Sequence, residues 1–369
     1  MINLNEKRLI KTFIDLVKIP SPSWQENKIV FYLESRLKEL GLKAQKVKCN
    51  NSFNLFARIP GTLSKNESYL FSAHMDTVKP GSKINPIISS NKIKTDGKSI
   101  LGADNKAAIA MILEMIFHLK EKKISHPPIE LLFSCAEEIG LQGIKKFNLS
   151  RLKSKMAFVF DSEGPVGNII LKAPFHAVYR LIIEGKAAHA GLEPEKGKNA
   201  IHVLAKIIGS FPQGRINQET TINIGKISGG EATNIVAEKA EANFEIRSTD
   251  QAQLKIQEKR IEALIKKITS INKIKFKLKK KLEYPGYKLS KKEKIVKNSA
   301  KALGKLRIPP IFLNSGGGSD ANIINQAPNI KAINLSCGMQ NVHSSKEYIL
   351  IKDLVLGTKL MLTLLDSSD

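Results

Sequence analysis

The chain has 369 residues, of which 42% are hydrophobic and 25% are charged. This composition is typical of a globular protein and excludes disordered and fibrous classes, while the length favours two domains. The longest apolar runs are too short to span a bilayer, and the N-terminal segment has the pattern of an amphipathic helix instead of a signal peptide. The three cysteines do not form a disulfide framework, so we expect buried thiols in a reducing, cytoplasmic compartment.

The formal net charge of +25 raises the alternative of a protein that binds nucleic acid or membranes. Much of the excess lies between residues 251 and 310, where the lysines follow a helical period and then alternate along a predicted strand. Both patterns are typical of solvated faces, and the few aromatic residues are not interleaved with the lysines as base-stacking platforms are. We therefore expect a basic surface without membrane or nucleic-acid binding, and polyanion binding stays as the alternative.

The first third of the chain alternates between predicted helices and predicted strands. The helices are expected at residues 4–18, 26–40 and 105–122, and the strands at residues 53–59, 69–73, 129–134 and 156–160. This alternation predicts an α/β fold in which a mixed, mostly parallel sheet is flanked by helices.

The middle of the chain follows a different order. Strands are expected at residues 175–184, 221–228, 236–248 and 273–282, with helices at 199–208 and 251–270. The order strand, helix, strand, strand, helix, strand is that of a ferredoxin-like unit. We therefore predict an inserted ferredoxin-like α+β domain at residues 173–284, within a larger domain formed by residues 1–172 and 285–369.

Several polar residues follow predicted apolar strands, where ligands collect in open α/β sheets. His74 follows the strand at residues 69–73, and Asp76 is placed to hold the second nitrogen of its ring. Asp104 opens the helix at residues 105–122. There it could bridge two cations or simply cap the helix.

Two further strands end in acids. Glu137 and Glu138 follow the strand at residues 129–134, where adjacent carboxylates are costly to bury without a cation; a solvated strand end is the alternative. Asp161 follows the strand at residues 156–160, and His343 follows an apolar strand at residues 330–335, although a lone late histidine is more often structural. Together, two histidines and at least three carboxylates suit a pair of zinc, cobalt or manganese ions.

Taken in order, these motifs make the chain resemble the dinuclear zinc peptidases related to peptidase T, carboxypeptidase G and aminoacylase, and most of all the peptidase T-like group. The resemblance covers essentially the whole chain and rests on motifs at residues 21–23, 74–76, 102–106, 137–138, 161–165, 185–191, 316–322 and 343. It implies a hydrolase with two divalent ions, zinc first with cobalt or manganese as alternatives. It also implies that the inserted domain is a lid. Because a ferredoxin-like insertion exposes sheet edges and a helical face, this domain is also a candidate surface for a homodimer.

The resemblance implies a role for each site residue. The expected metal ligands are His74 and Asp161 for one ion, Glu138 and His343 for the other, and Asp104 as the bridge. Asp76 would orient His74, and Glu137 would be the general base that takes a proton from the water between the ions. His189, in a loop of small residues in the inserted domain, would stabilise the oxyanion when that domain closes, or from a partner subunit.

Substrate contacts are also implied by the resemblance. Arg247 would receive the C-terminal carboxylate of the substrate, with Asn234 nearby; a surface salt-bridge arginine is the alternative. Gly317 and Gly318 lie in a glycine-rich loop that would let the backbone approach the substrate, and this loop lacks the ending of a phosphate-binding loop. The aspartate at position 161 is typical of the family's aminopeptidases and dipeptidases.

The resemblance therefore predicts an aminopeptidase that releases N-terminal residues from tripeptides or other short peptides. The first alternative is an amidohydrolase or carboxypeptidase that acts on N-acyl amino acids. The second is a non-catalytic basic binding protein built on the same scaffold. The complete set of expected ligands, together with the expected base, argues against this second alternative.

Overall fold

A computed structural model describes residues 2–63, 67–79 and 83–366. The chain divides into two units, one formed by Met1–Lys172 with Lys288–Asp369 and the other by Ala173–Tyr287. The second unit opens at the expected residue and closes after Tyr287, three residues later than expected. None of the helices in the described part of the chain combines the length and the apolar character that a membrane span requires.

The helices at residues 6–17, 27–39, 103–121, 200–209 and 251–271 lie close to the five that the sequence predicts. In chain order the helices are α1 (Glu6–Val17), α2 (Asn27–Glu39), α3 (Ala103–Glu121), α4 (Gln142–Lys146), α5 (Ala200–Gly209), α6 (Gln251–Ile271), α7 (Lys294–Lys305), α8 (Asp320–Ile324) and α9 (Ile351–Asp366). At the start of α1, the Asn5 side chain accepts a hydrogen bond from the Arg8 N–H, which satisfies one free donor of the helix.

The strands form three sheets. In chain order they are β1 (Gln45–Cys49), β2 (Ser52–Ile59), β3 (Tyr69–His74), β4 (Ile87–Ser89), β5 (Lys92–Lys94), β6 (Ile129–Ser134), β7 (Met156–Ser162), β8 (Asn168–Ala173), β9 (Phe175–Glu184), β10 (Gly214–Arg215), β11 (Thr220–Gly229), β12 (Lys239–Ser248), β13 (Lys275–Tyr284), β14 (Tyr287–Lys288), β15 (Ile311–Asn314), β16 (Lys331–Ser336), β17 (Met339–Gln340) and β18 (Tyr348–Leu350).

The large sheet has the order β1-β2-β6-β3-β7-β16-β8-β14, with β15 beside β8. Its four central strands, β6, β3, β7 and β16, are mutually parallel, whereas β1, β2 and β6 pair antiparallel. Every residue of β3 and of β6 is buried, as expected for central strands covered on both faces. The sheet is therefore mixed with a parallel centre, which confirms the predicted fold class.

A small sheet of order β17-β18-β5-β4 lies in the same unit. Strand β18 pairs antiparallel with β17 on one side and with β5 on the other, so the chain around residue 345 is tied to the segment that leads into α3. These strands are only two or three residues long and carry no readable alternation, which is why the sequence did not predict this sheet.

The second unit is an antiparallel sheet of order β10-β11-β12-β9-β13. With β10 set aside, the order of its strands is that of a ferredoxin-like fold, and both helices pack on one face over a core that includes Tyr179, Phe244 and Ile265. Along β13, Lys275, Lys277 and Lys279 are exposed and alternate with partly buried residues. The predicted ferredoxin-like insertion and its solvated lysine face are both confirmed.

Candidate metal centre

The parallel strands bring four of the expected site residues to one edge of the large sheet. His74 is the last residue of β3, Glu137 and Glu138 follow β6, and Asp161 is the last residue but one of β7. Because β3, β6 and β7 run parallel, their carboxyl ends meet at the same edge. The polar residues that follow these apolar strands in the sequence therefore lie close together in space.

The first group of expected ligands closes around the imidazole of His74. Its Nε2 atom lies 2.9 Å from Asp104 Oδ1 and 3.3 Å from Asp161 Oδ1. All three residues are nearly or fully inaccessible to solvent, with side-chain exposures of 2%, 11% and 7%. The three ligand atoms therefore converge on one buried point.

The second group forms around His343, on the other side of Asp104. The Nε2 atom of His343 lies 3.1 Å from Asp104 Oδ2 and 3.0 Å from Glu138 Oε2. The His343 side chain is about half exposed, so this side of the cluster opens to solvent. Each oxygen of Asp104 faces a different histidine, which is the arrangement that a bridging carboxylate needs. The backbone of Asp104 is non-helical, and its carboxylate faces the histidines instead of capping α3.

Burial and the neighbouring charges shift the pKa values of the residues in this cluster. Burial raises the pKa of Glu137 well above its usual range and the pKa of Asp161 to about 8, in both cases with repulsion from neighbouring carboxylates. Burial also opposes ionisation of Asp104, yet hydrogen bonds from His343 and His74 hold its pKa below the ordinary value. Hydrogen bonds to Asp104 and Glu138 raise the pKa of His343 to about 10.

These residues fit divalent cations. Two overlapping groups, which share His74, each bring one candidate ligand atom per residue within 4.8 Å of one another: the first is His74, Asp104 and Glu138, and the second is His74, Glu137 and Asp161. Imidazole nitrogens with carboxylate oxygens suit zinc, cobalt or manganese. Packing four carboxylates together is costly unless cations neutralise them. The donor set thus fits divalent metal ions.

Asp76 occupies the expected place but makes a different contact from the one expected. The Nδ1 atom of His74 lies 2.9 Å from the main-chain oxygen of Asp76, and the Asp76 carboxylate is farther away, at 3.4 Å. That carboxylate instead accepts hydrogen bonds from the N–H groups of Glu137 and Glu138, at 2.9 and 3.2 Å, and from the Ser23 hydroxyl at 2.7 Å. The main-chain oxygen of Asp76 thus orients the His74 ring, and the Asp76 carboxylate orients the loop that carries Glu137.

Several positioning residues were missed at the sequence level. The Asn334 side chain accepts a hydrogen bond from the Asp161 N–H at 3.0 Å and donates to the Asp161 carbonyl at 3.2 Å. The Asn105 amide donates to Asp161 Oδ1 at 3.1 Å. Glu347 accepts three main-chain hydrogen bonds from the segment that carries Asp104. Only Asn105 lies in a recognised motif; the other two act across long sequence separations that leave no local signal.

The glycine-rich loop lies in the first unit, between β15 and α8. The Ser315 hydroxyl donates to the Gly317 carbonyl at 2.9 Å and accepts from the Gly317 N–H at 3.0 Å, which fixes the turn before Gly318. The loop leads to Asp320, which is 2% exposed and accepts a hydrogen bond from the Ser134 hydroxyl at the end of β6. The loop is thus fastened to the strand end that precedes Glu137.

His189 lies in the second unit, on an exposed loop. Its Nδ1 atom accepts hydrogen bonds from the N–H groups of Gly191 and Leu192, at 3.2 and 3.1 Å. Asn234 is adjacent, because its carbonyl oxygen accepts a hydrogen bond from the Ala190 N–H at 2.9 Å. The structure therefore brings His189 and Asn234 together.

The expectation that Asn234 lies near Arg247 is wrong within one chain. Arg247 is near the end of β12, whereas Asn234 precedes the start of this strand, and the eight residue-to-residue steps from Lys239 to Arg247 span about 26 Å. Arg247 pairs with Glu245, with Nε 2.9 Å from Oε1 and Nη2 3.3 Å from Oε2, and is 30% exposed. Arg247 therefore makes a salt bridge in this structure, as the alternative reading of its role expects.

Two family models match the sequence. Residues 176–272 match the peptidase dimerisation domain of the M20 family, and residues 54–177 match peptidase family M28. An uncharacterised protein of Bacillus subtilis (strain 168), YqjE, is 36% identical, and the alignment covers 99% of both chains.

Two solved structures resemble the chain over nearly its whole length. Aminopeptidase PepT from Bacillus cereus is 34% identical, covers 99% of both chains and has a TM-score of 0.90. A tripeptidase from Staphylococcus aureus is also 34% identical, covers 98% of both chains and has a TM-score of 0.92. With this identity and coverage, the chain belongs to the peptidase T-like family of metallopeptidases.

Proposed function

We propose that the protein is an aminopeptidase that releases the N-terminal residue from tripeptides or other short peptides. The observation that carries the proposal is Asp104, whose two oxygens face His74 at 2.9 Å and His343 at 3.1 Å. This arrangement supports a centre of two divalent ions, with zinc as the first choice and cobalt or manganese as alternatives. Two such ions would activate a water molecule and polarise the carbonyl of the scissile bond.

Glu137 is the proposed general base. It is 8% exposed, and its backbone is held by Asp76 at 2.9 Å, so its carboxylate is confined beside the ligand cluster. In its ionised form it accepts a proton from the attacking water and then delivers that proton to the leaving amine. The ions would favour this ionised form, because positive charge nearby lowers the pKa of a carboxylate.

The hydrogen bonds of His189 support its proposed part in stabilising the oxyanion. Because Nδ1 accepts hydrogen bonds from two backbone N–H groups, the neutral ring carries its proton on Nε2. That proton is available for donation to a substrate oxygen that gains negative charge in the transition state. Asn234, beside His189, would add its side-chain amide to the same substrate-binding surface.

The separation of His189 and Asn234 from Arg247 supports a homodimer. A tripeptide spans at most about 11 Å, whereas the part of β12 between the two groups is about 26 Å long. One copy of the inserted domain therefore does not bring both groups to one short peptide. We propose that Arg247 binds the C-terminal carboxylate within its own subunit while His189 and Asn234 come from the partner subunit. The dimerisation-domain match over residues 176–272 is consistent with this assignment.

Two further observations favour a short peptide with a free N-terminus. The solved structures that are 34% identical are named an aminopeptidase and a tripeptidase. The residue at position 161 is the aspartate expected for aminopeptidases and dipeptidases. The cysteines Cys49, Cys135 and Cys337 are buried and unpaired, as expected in the reducing cytoplasm that we propose as its compartment.

The proposal is tested with the purified protein, zinc, cobalt or manganese, and four substrates: a dipeptide, a tripeptide, an N-acetylated tripeptide and an N-acetyl amino acid. Chromatography of the products should show loss of the first residue from the free tripeptide and no cleavage of its acetylated form. Cleavage of acylated substrates alone would contradict the proposal and assign the protein to the amidohydrolases.

A further inference from the structure

Glu347 is a buried carboxylate that takes no part in the reaction as proposed. It is 1% exposed and lies four residues after His343, in the loop that joins β17 to β18. Its Oε2 atom accepts hydrogen bonds from the N–H groups of Leu101 and Gly102, at 2.7 and 2.8 Å. Its Oε1 atom accepts one from the N–H group of Asp104, at 3.1 Å. Both oxygens are therefore bound to a segment that is distant in sequence.

The segment that Glu347 binds has an irregular backbone. Gly102 has a φ of 73°, in the left-handed region, and a Cβ atom there would lie 3.2 Å from the Thr77 side chain. Asp104 itself is non-helical, with φ −79° and ψ 104°. The N–H groups at the start of a helix have no partners within the helix, and consecutive ones form a nest for an anion. Here the anion is the Glu347 carboxylate.

The small sheet explains how Glu347 reaches this segment. Strand β18 begins one residue after Glu347 and pairs with β5, through Tyr348 with Lys94 and Ile349 with Ile93. Strand β5 leads along the chain toward Asp104. The same loop carries His343, which faces the second oxygen of Asp104 at 3.1 Å. One loop thus contributes both a side chain of the metal centre and the anchor of the bridging residue.

We infer that Glu347 is a positioning residue of the metal centre: it fixes the backbone of Asp104 relative to the His343 loop, so that the Asp104 carboxylate can bridge two ions. The inference rests on the proposed function, because it takes Asp104 and His343 to be metal ligands. Glu347 itself contacts neither ion nor substrate. Glu347 acts indirectly, because it holds the Asp104 backbone and so determines the orientation of the Asp104 carboxylate.

The substitution Glu347→Gln tests this role. Glutamine keeps the shape of the side chain, but its terminal NH2 group cannot accept a hydrogen bond, so one side of the nest loses its acceptor. We expect the affinity for Co²⁺ to fall about 10- to 100-fold, as for other residues that orient metal ligands. The visible absorption spectrum of the Co²⁺-loaded protein should change, and kcat for a tripeptide should fall with little change in KM. Glu347→Asp keeps the charge and should retain an affinity between that of the wild type and that of Glu347→Gln.

Glu130→Gln is the matched control. Glu130 is 2% exposed and also accepts main-chain hydrogen bonds, from Lys153 and Ser154 at 3.0 and 2.9 Å. It is the second residue of β6, at the end of the strand opposite to Glu137, so it contacts no part of the ligand cluster. We expect this control to lose stability on heating while it keeps the Co²⁺ affinity and spectrum of the wild type.

The outcomes separate the inference from the proposed function. If the wild type binds two Co²⁺ ions and Glu347→Gln binds both with unchanged affinity and spectrum, the inference is wrong and the proposed function stands. If Glu130→Gln loses Co²⁺ as readily as Glu347→Gln, the effect is general destabilisation and the inference is again wrong. If the wild type binds no Co²⁺, Zn²⁺ or Mn²⁺, the proposed function itself fails, and the inference fails with it.

Discussion

Asp76 and Glu137 are joined by a hydrogen bond from the Glu137 N–H to the Asp76 carboxylate, at 2.9 Å. The same aspartate contacts the His74 ring through its main-chain oxygen at 2.9 Å. Asp76, the second residue after β3, therefore fixes both a proposed metal ligand and the proposed base, which follows β6. The parallel pairing of β3 with β6 makes this contact between two strand ends possible.

Asp76→Asn should lower both stability and activity. The asparagine amide cannot accept the hydrogen bonds that the replaced oxygen accepted, so a buried N–H group loses its partner, which costs about 1–3 kcal/mol. We expect kcat to fall about 10- to 100-fold because the His74 and Glu137 loops lose their common anchor. Denaturant unfolding and tripeptide kinetics measure the two effects. Asp15→Asn, which removes only a solvent-accessible ion pair with Lys11 on α1, is the control and should change stability by less than about 0.5 kcal/mol. Unchanged values for Asp76→Asn would contradict the assignment.

Glu137→Gln should separate metal binding from catalysis. The amide keeps the shape of the carboxylate but cannot accept a proton from water, so we expect kcat to fall about 10²- to 10⁴-fold. Titration with Zn²⁺ should still show two ions per chain, because Glu137 is not an assigned ligand. Retention of most of the activity would show that another group serves as the base.

The proposed dimer predicts complementation between two inactive variants. Glu137→Gln lacks the base, and His189→Ala lacks the donor that its partner needs. In a mixed dimer, the site that keeps Glu137 receives His189 from the other subunit. After subunit exchange we expect recovery of about a quarter of the wild-type activity, since half of the dimers are mixed and each has one complete site.

His202→Ala is the control for this experiment, because His202 is an exposed histidine of the same unit, on α5. It should be fully active when unmixed. If mixing the two inactive variants restores nothing while each variant remains dimeric, His189 acts within its own subunit or not at all.

Metal binding should release protons at neutral pH. In the metal-free protein, hydrogen bonds to Asp104 and Glu138 raise the pKa of His343 to about 10, so its ring is protonated at pH 7. A metal ion binds only the neutral ring, and the proton must leave. The pKa of Asp161, which burial raises to about 8, adds a second such proton. Metal affinity should therefore increase as the pH rises from 6 to 8.

Calorimetry in two buffers of different ionisation enthalpy measures this release directly. We expect at least one proton per protein at pH 7, and His343→Gln should release about one fewer. A heat of binding that is the same in both buffers would show that metal binding releases no protons from these side chains.

The fold was largely predictable because its main elements carry strong periodic signals. The buried strands β3 and β6 and the amphipathic helix α1 are clear in the sequence, and the order of elements identified the ferredoxin-like unit. The small sheet was not predictable, because strands as short as β5 or β18 have too few residues to show an alternation. This sheet is also what brings Glu347 to Asp104.

The sequence predicted those site residues whose place in the fold can be inferred from their neighbours in the chain. His74, Glu137 and Asp161 end apolar strands, so their convergence follows from the parallel sheet. The contact of Asn334 with Asp161 joins residues that are far apart in sequence and belong to no motif. The expectation that Asn234 lies near Arg247 came from the resemblance, which does not show that most of β12 lies between them within one chain.

The most direct test of the account is a crystal structure of the zinc-loaded protein with anomalous diffraction data at the zinc absorption edge. We predict two peaks about 3.5–4 Å apart. One peak should lie against His74 and Asp161, the other against Glu138 and His343, with an oxygen of Asp104 on each. A single peak, or two peaks of which only one contacts Asp104, would contradict the bridged two-metal centre on which the proposed mechanism depends.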